Sequence, residues 1–231
     1  YQIFSADYSQ VELRVMAHLS QDKALIEALN NGEDIHTFTA KNIFGIDKDE
    51  DVLAEMRRTA KIVNFGIMYG AGPFRLSKEL DVPFGEAKKI KDAYFSKYKG
   101  IEEYIAKSKV LIKSEKSVQT LLGRKRAVWD SDSQNKIRRD AAERMAINMP
   151  IQGTAAEMIK LAMIKIYKDL KDNNLKSKLI LQVHDELLLE VHKDELDYIS
   201  EMVVKNMKNA MELDVPIEID CGFGPSWFEA H

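Results

Sequence analysis

Four side chains between positions 56 and 72 recur at every fourth residue, and their order from cation to aromatic suits a nucleotide. Within the stretch MRRTAKIVNFGIMYGAG these residues are Arg57, Lys61, Phe65 and Tyr69. At 100° per residue, the spacing places them on one slowly winding stripe of an α-helix. The stripe spans roughly 18 Å, enough for a triphosphate at one end and a base at the other.

The alternative is that the cations form a solvated helix face and the aromatic residues belong to the core. Two features of the same stretch favour a ligand. No acidic residue lies within it to neutralise Arg57, Arg58 and Lys61, so an anionic ligand would supply the missing charge. Gly66 and Gly70 each cost a helix up to about 1 kcal/mol relative to alanine, which indicates close approach by a flat group or a hinge.

Two carboxylates form the second candidate for chemistry. Asp7 closes an apolar strand near the start of the chain, and Asp185 lies between two apolar arms in residues 178 to 191, KLILQVHDELLLEV. Acidic residues are common in turns, but a turn does not require His184, Asp185 and Glu186 in a row. If the two strands pair, their carboxylates converge and repel unless a divalent cation lies between them. Mg²⁺ is typically held by one or two carboxylates plus substrate phosphates.

These residues need a scaffold, and the hydrophobic pattern predicts an α+β protein. An antiparallel sheet is expected from residues near 1 to 8, 178 to 191 and 216 to 221, while the region near 20 to 115 is expected to be almost entirely helical. Helices are predicted at residues 22 to 29, 34 to 44, 74 to 80, 85 to 98, 101 to 115 and 194 to 213.

Several element ends have a local explanation. Residues 9 to 12, SQVE, have the form of a helix capping box, so Glu12 already has a structural role. A long helical region from residue 137 to 170 is predicted to break at residues 148 to 150, because proline does not continue a helix. A strand at residues 217 to 220 is expected to end before the sequence GFGP.

Composition limits the class of protein. The 231 residues suffice for one large or two small domains, and 45% hydrophobic content is ordinary for a folded soluble chain. No apolar run reaches 18 residues, so no membrane span is predicted. The first residues lack a signal peptide and an initiator methionine, which indicates a segment of a larger protein. The single cysteine, Cys221, excludes an internal disulfide and suits a reducing compartment.

The charge is unevenly distributed. A net charge of −3 argues against a protein whose whole surface binds nucleic acid. Residues 106 to 126 nevertheless contain seven Lys or Arg and one acidic residue. Residues 117 to 129 predict a hairpin whose tip, residues 123 to 126, is basic, with a plain solvated turn as the alternative. Such a basic stripe could hold a phosphate backbone.

Three segments of the chain resemble motifs A, B and C of family A DNA polymerases, the bacterial DNA polymerase I group. They are DYSQVELR at residues 7 to 14, RRTAKIVNFGIMYG at 57 to 70 and VHDE at 183 to 186. The motifs occur in the order of the family, and the resemblance covers essentially the entire chain. It implies a palm with an antiparallel sheet and a mainly helical fingers subdomain.

The resemblance also implies subdomain bounds. The palm would comprise residues 1 to 19 and 116 to 231, and the fingers residues 20 to 115. The motif B helix would lie at about residues 56 to 70, and the motif C hairpin at about 178 to 191.

The resemblance assigns roles to individual residues. Asp7 and Asp185 would bind two catalytic metal ions, with the Tyr8 carbonyl assisting and Glu186 as a supporting acid. The implied catalytic set is Asp7, Asp185, Glu186 and Lys61. The implied nucleotide-binding set is Gln10, Glu12, His36, Arg57, Lys61, Phe65 and Tyr69.

Within the nucleotide set, Glu12 resembles the steric gate that excludes a ribose 2′-hydroxyl. His36 resembles a residue that contacts the β-phosphate, although a lone histidine in the first turn of a helix is more often a surface or hydrogen-bonded residue. The residues that would hold DNA are Tyr69, Arg144, Asn148, Gln152 and His184. For the three on the long helical region, the alternative is that they are helix caps.

The function implied by the resemblance is template-directed addition of deoxynucleoside triphosphates to a primer 3′-hydroxyl during DNA replication and repair. Two Mg²⁺ ions would serve as cofactors, with Mn²⁺ as a substitute. The expected partners are a DNA primer-template and dNTPs, with no membrane, for a monomer within a larger chain. The expected location is the nucleoid in the bacterial cytoplasm, or an organelle if the source is eukaryotic.

Two alternatives stay open from the sequence. The family pattern also contains a thumb and an upstream exonuclease domain, which these residues do not include, so the chain could bind nucleotide or primer-template and catalyse weakly. A single-subunit RNA polymerase shares the aspartates and the helix motif, but it typically has a small residue where Glu12 stands.

Overall fold

The computed structural model describes all residues from 1 to 231 and confirms the predicted α+β class. The strands are β1 (Gln2–Tyr8), β2 (Ser117–Gln119), β3 (Lys125–Ala127), β4 (Lys178–Val183), β5 (Glu186–Val191) and β6 (Ile219–Gly224). The α-helices are α1 (Val11–Ser20), α2 (Lys23–Asn30), α3 (Ile35–Phe44), α4 (Ala54–Met68), α5 (Pro73–Leu80), α6 (Phe84–Lys97), α7 (Lys99–Glu115), α8 (Lys136–Asp172), α9 (Leu196–Lys208) and α10 (Trp227–Ala230).

The chain forms two compact units. One, here called the sheet unit, consists of Tyr1–Val15 and Gly153–His231, and the other, the helical unit, consists of Met16–Gln152. The bounds of palm and fingers implied by the resemblance stay a prediction. A palm or fingers subdomain is defined by its role in the family, whereas the sheet unit and the helical unit are defined only by their compactness. No helix combines the length and the apolar content that a bilayer-spanning segment requires.

The sheet unit is built on four antiparallel strands in the order β4-β5-β1-β6. The predicted pairing of the strand that carries Asp7 with the hairpin that carries Asp185 is therefore confirmed. Phe4, Ala6 and Tyr8 alternate along β1 and are fully buried, so one face of this strand belongs to the core. The alternation directs Asp7 to the opposite face.

Strand β6 runs further than the sequence predicts. It continues through Gly224, which pairs with Ile3 of β1, whereas the expected end was residue 220. The two glycines of this extension allow the backbone of α10 to lie against the strand. A Cβ atom on Gly222 would lie 2.6 Å from the Ala230 carbonyl oxygen, and one on Gly224 would lie 2.6 Å from the Ala230 nitrogen.

The predicted break in the long helix is wrong. Helix α8 is continuous from Lys136 to Asp172 with Pro150 inside it. An interior proline removes one helical hydrogen bond and costs about 3 kcal/mol, but Ala146, Ile147 and Ile151 are fully buried on either side of it. In addition, the Tyr104 hydroxyl donates to the Ile147 carbonyl at 3.2 Å. Tertiary packing therefore maintains the helix where the local rule predicts an interruption.

The helical unit follows its local signals closely. Asp22 and Asp34 cap α2 and α3, and Gly45 ends α3 in the left-handed conformation with φ of 68°. The basic hairpin is confirmed, with strands of only three residues each. The last predicted helix, in the sheet unit, is shorter than expected, since α9 ends at Lys208.

Candidate functional site

The turn between β4 and β5 carries Asp185, one of the acidic residues of the candidate site. His184 and Asp185 form a two-residue connection, and His184 has a φ of 54°, as tight antiparallel hairpins require. Glu186 was expected in this turn, but it is the first residue of β5 and is only 5% exposed. Its carboxylate accepts hydrogen bonds from the Ser5 hydroxyl and the Trp227 indole.

Asp7 lies between two other acidic residues in the sheet. It is paired with Glu186 on β5 and with Asp220 on β6, so three carboxylates follow one another across three strands. The pKa of Asp7 is raised to about 6, chiefly by burial and in addition by the negative charges of Asp185 and Glu186. Its Oδ1 atom is buried and has no hydrogen-bond partner. A cation would relieve both the repulsion and the unsatisfied oxygen.

Asp220 was missed by the sequence reasoning. The expected end of the last strand at residue 220 made it a terminal residue with no stated role. The signal that could have revealed Asp220 is the alternation of side chains along a strand that pairs with β1, because it places residue 220 on a defined face of the sheet. In the structure the Asp220 carboxylate accepts a hydrogen bond from the Ser9 hydroxyl. The predicted capping role of Ser9 and Glu12 stays a prediction.

The residues after β1 are held by an arginine with no predicted role. Gln10 has a left-handed φ of 54°, and its carbonyl accepts from the backbone of the first turn of α1. Arg14 is buried and donates to the Ser9 carbonyl at 2.8 Å and to the Pro216 carbonyl at 2.5 Å. It also forms an ion pair with Glu218 at 2.5 Å. Arg14 therefore fixes the turn that carries Gln10, the residue that leads into Glu12.

In the helical unit, Arg57 has an acidic partner that the sequence did not indicate. Its guanidinium donates to both oxygens of Asp34, at 2.6 and 3.1 Å. The expectation that only a ligand would neutralise this cation is wrong, because the partner comes from the cap of α3 and not from α4. Although burial raises the pKa of Asp34, the hydrogen bonds from Arg57 and Thr37 outweigh it and hold the pKa well below its usual range.

His36 is not a surface residue, since only 3% of it is exposed. Its Nδ1 accepts from the Asn64 amide at 3.1 Å, and the Asn64 carbonyl oxygen accepts from the Thr39 hydroxyl. The pKa of His36 is lowered to about 4, chiefly by burial, with the charge of Asp34 opposing the shift and those of Arg57 and Lys61 assisting it. The imidazole is therefore neutral near pH 7, with Nε2 as the ring nitrogen that remains for a ligand.

A cavity of about 610 Å³ follows the exposed side of α4. This volume is within the range of small-molecule sites. The Phe65 and Tyr69 rings stack beside each other with centroids 6.2 Å apart. The cavity is lined by Arg58, Lys61, Ile62, Phe65, Gly66, Tyr69, Arg75 and Glu79. It thus combines cations with an aromatic surface, as the stripe predicts, although Arg58 takes the place expected for Arg57.

The continuous α8 places three predicted DNA-binding residues on one helix face. Arg144, Asn148 and Gln152 are four residues apart, so they are not caps around a break. The Oδ1 atom of Asn148 is buried without a hydrogen-bond partner. Arg144 lies against Gly70, where an added Cβ would be 3.1 Å from the Arg144 Cγ. The α8 stripe therefore begins beside the end of α4.

Comparison with known proteins decides the family. The model described as DNA polymerase family A matches residues 1–229. The chain belongs to DNA polymerase family A. It is 46% identical to DNA polymerase I of Caldicellulosiruptor bescii over 227 residues, which are 98% of this chain and 27% of that protein. It is also 46% identical to DNA polymerase I of Bacillus subtilis over 228 residues, covering 99% of this chain and 26% of that protein.

A solved structure agrees with this family A assignment. The POL domain of Pol1 from M. smegmatis, in complex with DNA primer-template and dNTP, has a TM-score of 0.97 and 42% sequence identity. The match covers 100% of this chain and 40% of that one. This family A chain spans about a quarter of the length of the curated relatives it matches.

Proposed function

We propose that this chain carries out template-directed addition of deoxynucleotides to a primer 3′-hydroxyl. The observation that carries the proposal is the position of Asp7. Its half-buried carboxylate has a buried oxygen without a hydrogen-bond partner, it is paired across the sheet with Glu186, and it is repelled by the negative charge of Asp185. The names of the relatives, DNA polymerase I, and the primer-template and dNTP bound by the similar Pol1 domain support the same activity.

The acidic residues fit a divalent cation. The structure has no group of three or more His, Cys, Asp or Glu side chains that could hold a metal ion. Mg²⁺ sites, however, need only one or two carboxylates, because substrate phosphates and water complete the coordination shell. Asp7 and Asp185 would hold two Mg²⁺ ions, or Mn²⁺ in their place, with the Tyr8 carbonyl assisting. When bound, such ions activate the 3′-hydroxyl and stabilise the leaving pyrophosphate.

The α4 stripe supplies the nucleotide contacts in this proposal. Arg57 and Lys61 would bind the phosphates, Phe65 would pack on the sugar and base, and Tyr69 would lie near the templating base. Because the Asp34 carboxylate already contacts Arg57, the triphosphate would displace or share that partner. His36 would donate from Nε2 to the β-phosphate as a neutral imidazole.

Further residues would select the sugar and hold the DNA. Glu12 would exclude a ribose 2′-hydroxyl, with Gln10 beside the same pocket. The primer-template would be held near the primer terminus by Arg144, Asn148, Gln152 and His184. The unpartnered amide oxygen of Asn148 supports its assignment to a ligand.

The biological setting follows the relatives. We place the palm at residues 1 to 19 and 116 to 231 and the fingers at 20 to 115. The chain would act in replication and repair as a monomeric part of a larger protein, in the bacterial cytoplasm at the nucleoid.

Primer extension with single nucleotides tests the proposal. A labelled primer-template with Mg²⁺ would be offered each dNTP and each rNTP separately, with Asp185→Asn as the blank and Asp197→Asn, an exposed carboxylate of α9, as the matched control. We expect the wild type and the Asp197→Asn control to add the complementary dNTP and no other nucleotide. Asp185→Asn should add none. Equal use of the rNTP would favour an RNA polymerase, and DNA binding without any addition would reduce the chain to a binding module.

A further inference from the structure

Glu186 has an unusual number of donors for one carboxylate oxygen. Its Oε1 accepts from the Ser5 hydroxyl at 2.5 Å and from the Trp227 indole nitrogen at 2.9 Å. The Nδ1 atom of His231 lies 3.4 Å from the same oxygen. A carboxylate that is only 5% exposed is costly to bury unless hydrogen bonds compensate for lost water. These donors therefore stabilise Glu186 and fix its orientation.

The position of Trp227 depends on the two glycines of β6. Helix α10 is only four residues long, and its backbone lies so close to Gly222 and Gly224 that any Cβ atom there would overlap with Ala230. Trp227 is the first residue of this helix, and its indole reaches across to Glu186. The neighbouring Phe228 is 92% exposed, so the helix is not held through that ring. The glycine contact and the indole hydrogen bond together dock α10.

The same helix borders the candidate metal site. A second cavity, of about 340 Å³, is lined by Ser5, Asp7, Asp220, Cys221, Ala230 and His231. Ser5, which bonds to Glu186, is two residues from Asp7 on the same face of β1. Glu186 is also directly opposite Asp7 in the register of β1 and β5. The end of the chain from β6 through α10 thus forms a wall of the cavity that contains Asp7.

We propose that Trp227 is a positioning residue of the phosphoryl-transfer site, which with Ser5 holds Glu186 beside Asp7. The inference rests on the proposed function, because Glu186 affects chemistry only if Asp7 and Asp185 hold the catalytic cations. Loss of the indole donor leaves a buried carboxylate with fewer partners, and its position relative to Asp7 then varies. The effect falls on the chemical step and on cation binding, and not on the nucleotide contacts of α4.

A double-mutant cycle tests this coupling. Trp227→Phe keeps an aromatic ring, though a smaller one, and removes the N–H, and Glu186→Gln keeps the shape and removes the charge. We expect Trp227→Phe to lower kcat about tenfold, as loss of a supporting hydrogen bond at a metal site does, with the KM for dNTP changed less than about twofold. In the Glu186→Gln background the same substitution should change kcat by less than about twofold. Phe228→Ala, which removes an exposed ring from the same helix, is the matched control and should leave kcat unchanged.

Equal losses of kcat in both backgrounds would overturn the proposal, because Trp227 would then act through packing and not through Glu186. A rise in KM with unchanged kcat would overturn it as well. Failure of the wild-type chain to extend any primer contradicts the proposed function, so a second measurement has to be independent of activity.

Tryptophan fluorescence supplies that measurement. The chain has two tryptophans, and the other, Trp129, is 77% exposed, so Trp129→Phe leaves Trp227 as the only indole. Titration of this variant with Mg²⁺ should give a saturable change in emission. The change should disappear with Glu186→Gln and persist with Asp197→Asn. No change on adding Mg²⁺, or one that persists with Glu186→Gln, would contradict the link between Trp227, Glu186 and the cation.

Discussion

Arg57 and Asp34 form an ion pair that a bound triphosphate would have to break or share. The pair is bidentate, and both side chains are partly exposed to solvent. Exposed ion pairs contribute up to about 1 kcal/mol. The partner lies 23 residues before Arg57, in the cap of another helix, so the sequence of α4 alone could not reveal it.

Asp34→Asn tests whether Asp34 competes with the nucleotide. Asparagine is as good a helix cap as aspartate, so α3 should remain folded while Arg57 loses its anionic partner. We expect the KM for dNTP to fall roughly two- to fivefold, the equivalent of one exposed pair. Asp49→Asn, which removes the exposed partner of Lys41, should leave KM unchanged. A higher KM in Asp34→Asn would mean that Asp34 positions Arg57 for the phosphate.

His36 predicts a pH dependence of stability. Burial lowers its pKa to about 4, with Arg57 and Lys61 acting in the same direction and Asp34 against it. In the unfolded chain histidine titrates near pH 6.5. Between these values the unfolded state binds more protons, so the free energy of unfolding decreases as the pH falls from about 6.5 towards 4, by at most about 1.4 kcal/mol per pH unit.

Urea unfolding at pH 7.5 and pH 5 measures this effect. The wild type should lose more stability on acidification than His36→Gln, which has no titrating group at that position. His18→Gln is the control on a more exposed histidine. An identical pH dependence in wild type and His36→Gln would contradict the assignment of His36 as a buried neutral imidazole.

At the scale of elements, local sequence signals were sufficient to predict helix ends that depend only on one turn of the chain. The caps Asp22 and Asp34 and the terminating Gly45 appear where the residue types predict them. The errors at Pro150 and at the end of β6 arose where distant packing outweighs the local rule. Buried neighbours keep α8 helical at Pro150. The glycines at the end of β6 resemble a turn in the sequence, but they are needed for the close contact between α10 and β6.

The glycine contact gives a stability prediction. Gly224→Ala would place a Cβ 2.6 Å from the Ala230 nitrogen, so α10 must shift, and we expect a loss of about 1 to 3 kcal/mol in the free energy of unfolding. Gly85→Ala, in the first turn of α6 with open space at its Cβ, should be neutral or stabilise by up to about 1 kcal/mol. Urea unfolding followed by circular dichroism compares them. Equal stability of Gly224→Ala and wild type would exclude tight docking of α10.

At the scale of the whole molecule, three short motifs suffice to predict the family and the fold class. The chemistry of a motif requires particular residue types at particular positions, whereas overall composition does not specify any position. The contacts between distant segments could not be predicted in the same way. The bond of Trp227 to Glu186 joins residues 41 apart, and no periodicity or cap signal relates them. The candidate site thus has a part that motifs reveal and a supporting part that only the fold reveals.

The central claim is that the carboxylates of the sheet unit perform the chemistry of DNA synthesis. Its most direct test is the single-turnover rate of addition of a matched dNTP, measured against dNTP concentration with Mg²⁺ for the wild type, Asp7→Asn and Asp197→Asn. We predict that Asp7→Asn lowers the maximal rate at least about a thousandfold, or about 4 kcal/mol in barrier, and leaves the apparent Kd for dNTP within about threefold. Asp197→Asn should match the wild type. A maximal rate in Asp7→Asn within about tenfold of the wild type would contradict the claim.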